Sequence, residues 1–110
     1  MSVSHTAAQV EARAKTVTRR LGWRFLKPGD TLTLCRKVMG RKPGEPLERL
    51  AEVRVVSVAR ERLDLIDDAD VRREGFAVSA PSFVAWFCEV FKVAPETVVT
   101  RIAWEYEGTR

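Results

Sequence analysis

The chain is poor in the residues that build metal sites, disulfide frameworks and membrane spans. It carries two cysteines, Cys35 and Cys88, and one histidine, His5. Two distant cysteines make neither a disulfide framework nor a zinc-ligand spacing, and a metal site would have to rest on carboxylates. No metal and no cofactor is therefore expected. Apolar runs extend for only a few residues, too short for a membrane span. The first residues, MSVSHTAAQVEARAK, lack the apolar stretch of a signal peptide, so a cytoplasmic location is the default expectation. No glycine-rich phosphate loop or dinucleotide fingerprint occurs, which argues against a doubly wound α/β fold.

What is present is enough for one domain, taken as residues 1–110. Apolar residues make up 45% of the 110, sufficient for a single core. The net charge is only +4, but it is unevenly spread. Residues 13–42 hold ten Lys or Arg against one acid, Asp30, a local charge of +9, while residues 43–110 carry −4. A positive region of this kind either draws a polyanion, of which nucleic acid is the commonest, or stays a solvated basic surface.

Local patterns give a coarse element order. Residues 4–14 read as a short helix with Ser4 as its N-cap, halted by the β-branched Thr16, Val17 and Thr18. LKPGD, 26–30, is a turn, and GRKPGEP, 40–46, a second Gly/Pro loop. TLTLCRKV, 31–38, alternates as a half-buried strand does. In the strand 50–60, Val53 and Val55 have one parity and Val56 and Val58 the other. Burying both pairs on one face requires a bulge near Val55–Val56. DDADVRREGF, 67–76, reads as an acid-capped helix ended by Gly75. Residues 79–93 form a clearer helix capped by Ser79, with Phe83, Val84, Phe87 and Phe91 as a core face. In the last strand, 98–106, Val98, Ile102, Trp104 and Tyr106 share a face. The sum is an α+β domain: a small mixed β-barrel with two or three peripheral helices.

Lys15 to Arg20, KTVTRR, gathers an amine, two hydroxyls and two guanidinium groups without an acid. The order KTVTRRLGWRFLKPGD, AEVRVVSV, DVRREGF, an aromatic helix and VTRIAWEY resembles the ASCH domain family, which has the PUA-like β-barrel fold. It is most similar to the short stand-alone ASCH proteins of bacteria and their phages. The resemblance runs from about Ser4 to Tyr106. It implies a ligand that is RNA or a modified nucleoside. One branch with a similar Lys-Thr-x-Thr motif hydrolyses the acetyl amide of N4-acetylcytidine. Carried over residue by residue, that resemblance implies catalytic roles for Lys15, Thr18 and Glu74.

The chemistry has a physical basis beside the resemblance. Lys15 and Thr18, three apart, would face one ligand from a helix end or 3-10 turn. A threonine hydroxyl attacks only after a base takes its proton, and a lysine is that base only when neutral. Burial and the neighbouring Arg19 and Arg20 would lower its pKa. Glu74, if protonated, would donate to the departing amine; the alternative is a surface carboxylate paired with Arg72 and Arg73. The alternative for Lys15 and Thr18 is a frayed helix end with solvated side chains, which the helix-weakening threonines and the mutual repulsion of the surrounding charges make less favourable. Arg19, Arg20 and Arg24 read as phosphate contacts. Trp23 is either a stacking platform for a base or a rim residue of the core. The function is thus binding of RNA or a nucleoside at a basic cleft, with amide hydrolysis in the catalytic case. The alternative is a non-catalytic module that binds RNA or regulates another protein.

Overall fold

The computed structural model describes residues 1–36 and 42–108. Lys37 and Val38, the expected end of the second strand, and Gly40 and Arg41 of the loop lie outside them. Among the described residues four strands form one sheet: β1 (Val17–Arg20), β2 (Thr31–Cys35), β3 (Arg49–Arg62) and β4 (Val98–Tyr106), in the order β1-β4-β3-β2. All three ladders are antiparallel. The mixed character of the sheet is confined to one parallel bridge, Ser2 with Cys35, which lays the N-terminal segment along β2. Arg20, at the end of β1, donates from Nη2 to the Ser2 carbonyl oxygen at 2.7 Å. This bond links β1 at one edge of the sheet to the N-terminal segment that runs beside β2 at the other.

Among the described residues three α-helices accompany the sheet: α1 (Ala7–Glu11), α2 (Asp68–Arg73) and α3 (Ala80–Phe91). The expected helix over 4–14 is reduced to a 3-10 turn, Ser4–Thr6, and the short α1, and Ser4 caps neither. Chain beyond Glu11 leaves the helix because Val17–Arg20 is pulled into the sheet beside β4. The other caps follow the side-chain chemistry: Asp67 accepts from Asp70 N–H, and Ser79 accepts from Ser82 N–H.

The bulge lies where the valine parity placed it, with the β3–β4 register skipping Val56. Val53 and Val55 are buried before it, Val58 packs on the same cluster after it, and Val56 itself is exposed. The first core cluster lies inside the barrel and includes Val10, Leu34, Val53, Val55, Ile102 and Trp104. The second lies under α3 and includes Leu63, Val71, Phe83, Phe87 and Val99. Strand β4 serves both, because Val99 faces α3 while Ile102 and Trp104 face the barrel. Val98, expected on the core face, is exposed for this reason. Burial of each large side chain in these clusters stabilises the fold by about 1.5–3 kcal/mol.

Gly75 joins α2 to the segment leading into α3 and has φ +97°. A Cβ there would stand 3.0 Å from Gln9 Cβ and 3.6 Å from Lys15 Cβ. Gly75→Ala should therefore lower unfolding free energy by roughly 2 kcal/mol, from backbone strain and crowding together. Gly22→Ala, with nothing within 4 Å of the added atom, should change it by less than about 0.5 kcal/mol. Urea titration of the two variants checks this; equal losses would refute the strain account.

Candidate functional site

The segment between α1 and β1 is held from three sides, and this aims the Lys15 side chain inward. Its N–H donates to Gln9 O at 3.2 Å, at the end of α1. Its carbonyl oxygen accepts from Trp104 Nε1 at 3.0 Å and from the Tyr106 hydroxyl at 2.5 Å, both on β4. Thr16 N–H donates to Arg73 O at 2.8 Å, which docks the segment on the last turn of α2. Glu74 follows as the C-cap of α2. The Lys15 amine thus arrives at Glu74: Nζ donates to the carbonyl oxygen at 2.7 Å and to Oε1 at 3.1 Å. The residues are 2% and 3% exposed.

Burial pushes the Lys15 amine below its ordinary pKa, opposed by the Glu74 charge beside it and reinforced by Arg20 and Arg19. Thr18, on β1, is 3% exposed, and its hydroxyl oxygen accepts from Arg20 Nε at 3.2 Å. Burial also lowers the pKa of Arg20, against the opposing charge of Glu74. Arg20's hydrogen-bond partners, the Thr18 hydroxyl and the Ser2 carbonyl, are both neutral. Its positive charge is therefore not offset by an ion pair among the described residues.

Arg19 is different. Its guanidinium reaches Asp70 at 2.5 Å, Glu61 at 2.9 Å and Glu74 at 3.3 Å. Asp70 accepts also from Arg73 and Arg101, each at 2.9 Å or closer. Hydrogen bonds from these arginines, that of Arg101 foremost, hold its carboxyl well below the usual carboxylate range despite burial. Arg19 is thus a structural cation that braces Glu74 from behind, with little charge left for a phosphate.

A cavity opens on this network, lined by Lys15, Thr18, Arg19, Arg20 and Glu74 on one side. The other side is the 2–6 segment and an aromatic wall of Phe76, Phe83, Trp86, Phe87 and Phe91. His5 meets Trp86 edge-on at 5.4 Å. The space is about 50 Å³, room for roughly three or four waters. Five of the seven residues singled out in the sequence come together here. Trp23 lines the adjoining cleft, and Arg24 borders a separate one with Lys27 and Arg60.

Two local expectations are corrected. Lys15 and Thr18 share no helix end: Thr18 is in strand β1 and Lys15 precedes it, because pairing with β4 outweighs continuation of α1. Nor do Arg72 and Arg73 pair with Glu74; Lys15 and Arg19 do, and Arg73 is drawn to Asp70. Asp70, Glu61 and Arg101 were not picked out from sequence. Asp70 sits in an acidic run that reads as helix capping, and only its i,i+3 spacing from Arg73 hints at a partner. Among the described residues no group of three His, Cys, Asp or Glu side chains is placed to hold a metal ion. None of the described helices is long and apolar enough to cross a membrane.

No protein-family model matches the chain, and no curated protein matches it. Solved structures do. The Enterococcus faecalis V583 protein EF3133, described as a member of the family DUF984, superposes with a TM-score of 0.68 at 14% identity. The match covers 94% of this chain and 71% of that one. An ASCH domain from Lactobacillus crispatus JV V101 superposes with a TM-score of 0.64 at 11% identity, over 96% and 75% of the two chains. The likeness is one of fold: this chain is a small α+β domain with an ASCH-like, PUA-like architecture.

The Asp70 hub makes a prediction about acid stability. Its folded pKa lies below the unfolded value of about 3.9, so its stabilisation is complete above that pH and is lost as pH falls from about 4 downward. Asp70→Asn should cost about 2 kcal/mol at neutral pH, since Arg101 loses its carboxylate partner and Arg19 one of three. The variant's urea midpoint should also fall less steeply than the wild type's between about pH 4 and pH 2. Parallel acid limbs for the two proteins would show that the hub does not set acid stability.

Proposed function

We propose that this ASCH-like domain binds a pyrimidine nucleoside, free or within RNA, at the Lys15–Glu74 cavity and hydrolyses an N4-acyl amide on it. The observation that carries the reading is the buried Lys15–Glu74 bond beside the Thr18 hydroxyl. With its pKa lowered by burial, neutral Lys15 is the base, and the proton it takes from Thr18 can pass along the 3.1 Å contact to the Glu74 carboxylate, which then delivers it as the general acid. Arg19 opposes that transfer, but its charge is divided among three carboxylates.

The reaction would then proceed by two acyl transfers. Lys15, directly or through a cavity water, takes the Thr18 proton. The Thr18 oxygen attacks the acyl carbon, and Arg20 Nε stabilises the developing alkoxide. Collapse breaks the C–N bond, and Glu74 protonates the departing N4 amine. Glu74, now a carboxylate, takes a proton from water as the water attacks the acyl-threonine. Carboxylic acid leaves, and Lys15 returns a proton to Thr18. The aromatic wall supplies the apolar face that a pyrimidine ring requires.

A second reading, a non-catalytic RNA-binding module, is favoured by Arg20, whose hydrogen-bond partners are neutral, and by the exposed Arg24. Incubation with N4-acetylcytidine, read by mass, separates the two. Wild type should release acetate and cytidine. Thr18→Ala should lose turnover at least about a thousandfold while still binding the nucleoside, because the attacking oxygen is gone and the walls remain. The wild-type rate should climb with pH as Lys15 loses its proton, reaching a plateau below the ordinary lysine value of about 10.4. Undiminished turnover in Thr18→Ala would exclude the covalent route. Absence of turnover in the wild type, with salt-dependent RNA binding intact, would leave the binding module.

A further inference from the structure

Next to the cavity lies a second cleft of about 320 Å³, lined by Arg19, Arg20, Leu21, Gly22, Trp23, Phe25, Phe87 and Phe91. The two spaces share Arg19, Arg20, Phe87 and Phe91, so one extended ligand can lie across both. Phe25 is 71% exposed, an unusual position for a phenyl ring, and the Trp23 ring stands 5.6 Å from it at a tilt of 30°. Trp23 also has φ +64°, a region that bulky residues rarely enter and that costs about 1–3 kcal/mol. Gly22, which would take that conformation without strain, is next in the chain and does not have it. The backbone is therefore held so that two aromatic rings flank the cleft.

We propose that this cleft is a second base subsite, and that the protein's ligand is a single-stranded oligonucleotide. The inference rests on the nucleoside-binding reading of the neighbouring cavity and extends it from one base to two. The N4-acyl group of the target pyrimidine enters the Lys15–Glu74 cavity, which is too small for the ring, and the ring lies at its mouth against the aromatic wall. The flanking base stacks on Trp23 and Phe25, which accept any base by its π-face. The phosphate between them meets Arg20, which lines both spaces and whose hydrogen-bond partners are neutral. Arg19 does not serve this role, because three carboxylates already surround it. Arg24, exposed and lying between the two aromatics in sequence, adds to the positive field along the strand.

Equilibrium binding of free N4-acetylcytidine and of a pentaribonucleotide carrying one N4-acetylcytidine tests this, with turnover of each followed by mass. Wild type should bind the pentamer at least about tenfold more tightly than the nucleoside, and the advantage should shrink as salt rises. Phe25→Ala, at an exposed position that the core does not use, should reduce that advantage about tenfold, and Trp23→Ala likewise. The proposal is overturned if the pentamer binds no more tightly than the nucleoside, or if its advantage survives both substitutions. In that case nucleoside turnover by the wild type would leave the hydrolase reading standing. Conversely, a Phe25-dependent preference for the pentamer without hydrolysis of either ligand upholds the subsite and removes the chemistry. If neither ligand binds, both fall.

Discussion

One buried ion pair organises this molecule. Lys15 and Glu74 are 59 positions apart, yet the amine meets both the carboxylate and the carbonyl of its partner. Removing two charges from water is expensive, and mutual attraction repays it only when the remaining polar atoms are also satisfied. Here the pairing extends outward: Glu74 reaches Arg19, Arg19 reaches Asp70 and Glu61, and Asp70 gathers Arg73 and Arg101; among the described residues, Arg19 Nε is the buried side-chain polar atom left without a partner. The network touches β1, β3, β4 and α2. It fixes how α2 sits against the sheet and, through Gly75, where the chain turns toward α3.

Such a network is a poor choice for stability alone, since apolar residues of similar volume often do as well. Its effect is to sort the cations of KTVTRR by task. Arg19 is committed to acids and becomes scaffold. Lys15 is desolvated and shares its charge with one carboxylate. Arg20 is pressed against a hydroxyl and a carbonyl, both neutral, and feels the Glu74 charge only at a distance. Three neighbouring cations that sequence alone does not rank thus acquire three electrostatic states, and of the three only Arg19 is ringed by carboxylates.

The aromatic residues are divided in the same way. Phe83 and Phe87 fill the core under α3, while Trp86 and Phe91 at its edge finish the cavity wall. Trp23 packs partly on the barrel core and partly borders the cleft. The core and the recognition surface are therefore continuous, and the rings around the site are positioned by packing.

Much was legible in the sequence wherever a property depends on near neighbours. The span of β4, the Ser79 cap, the turn at Gly29 and the Val56 bulge all follow from parity, capping chemistry and backbone freedom over a few residues. The joint presence of Lys15, Thr18 and Glu74 was legible as a motif order. Their approach was not, and neither were the roles of Asp70, Glu61 and Arg101, the separation of Arg24 from the cavity, or the early end of α1. Each of these depends on which distant segments the sheet register brings side by side. A charge finds its partner through space, and the Coulomb and desolvation energies that select it depend on distance and burial, which exist only once the chain has folded.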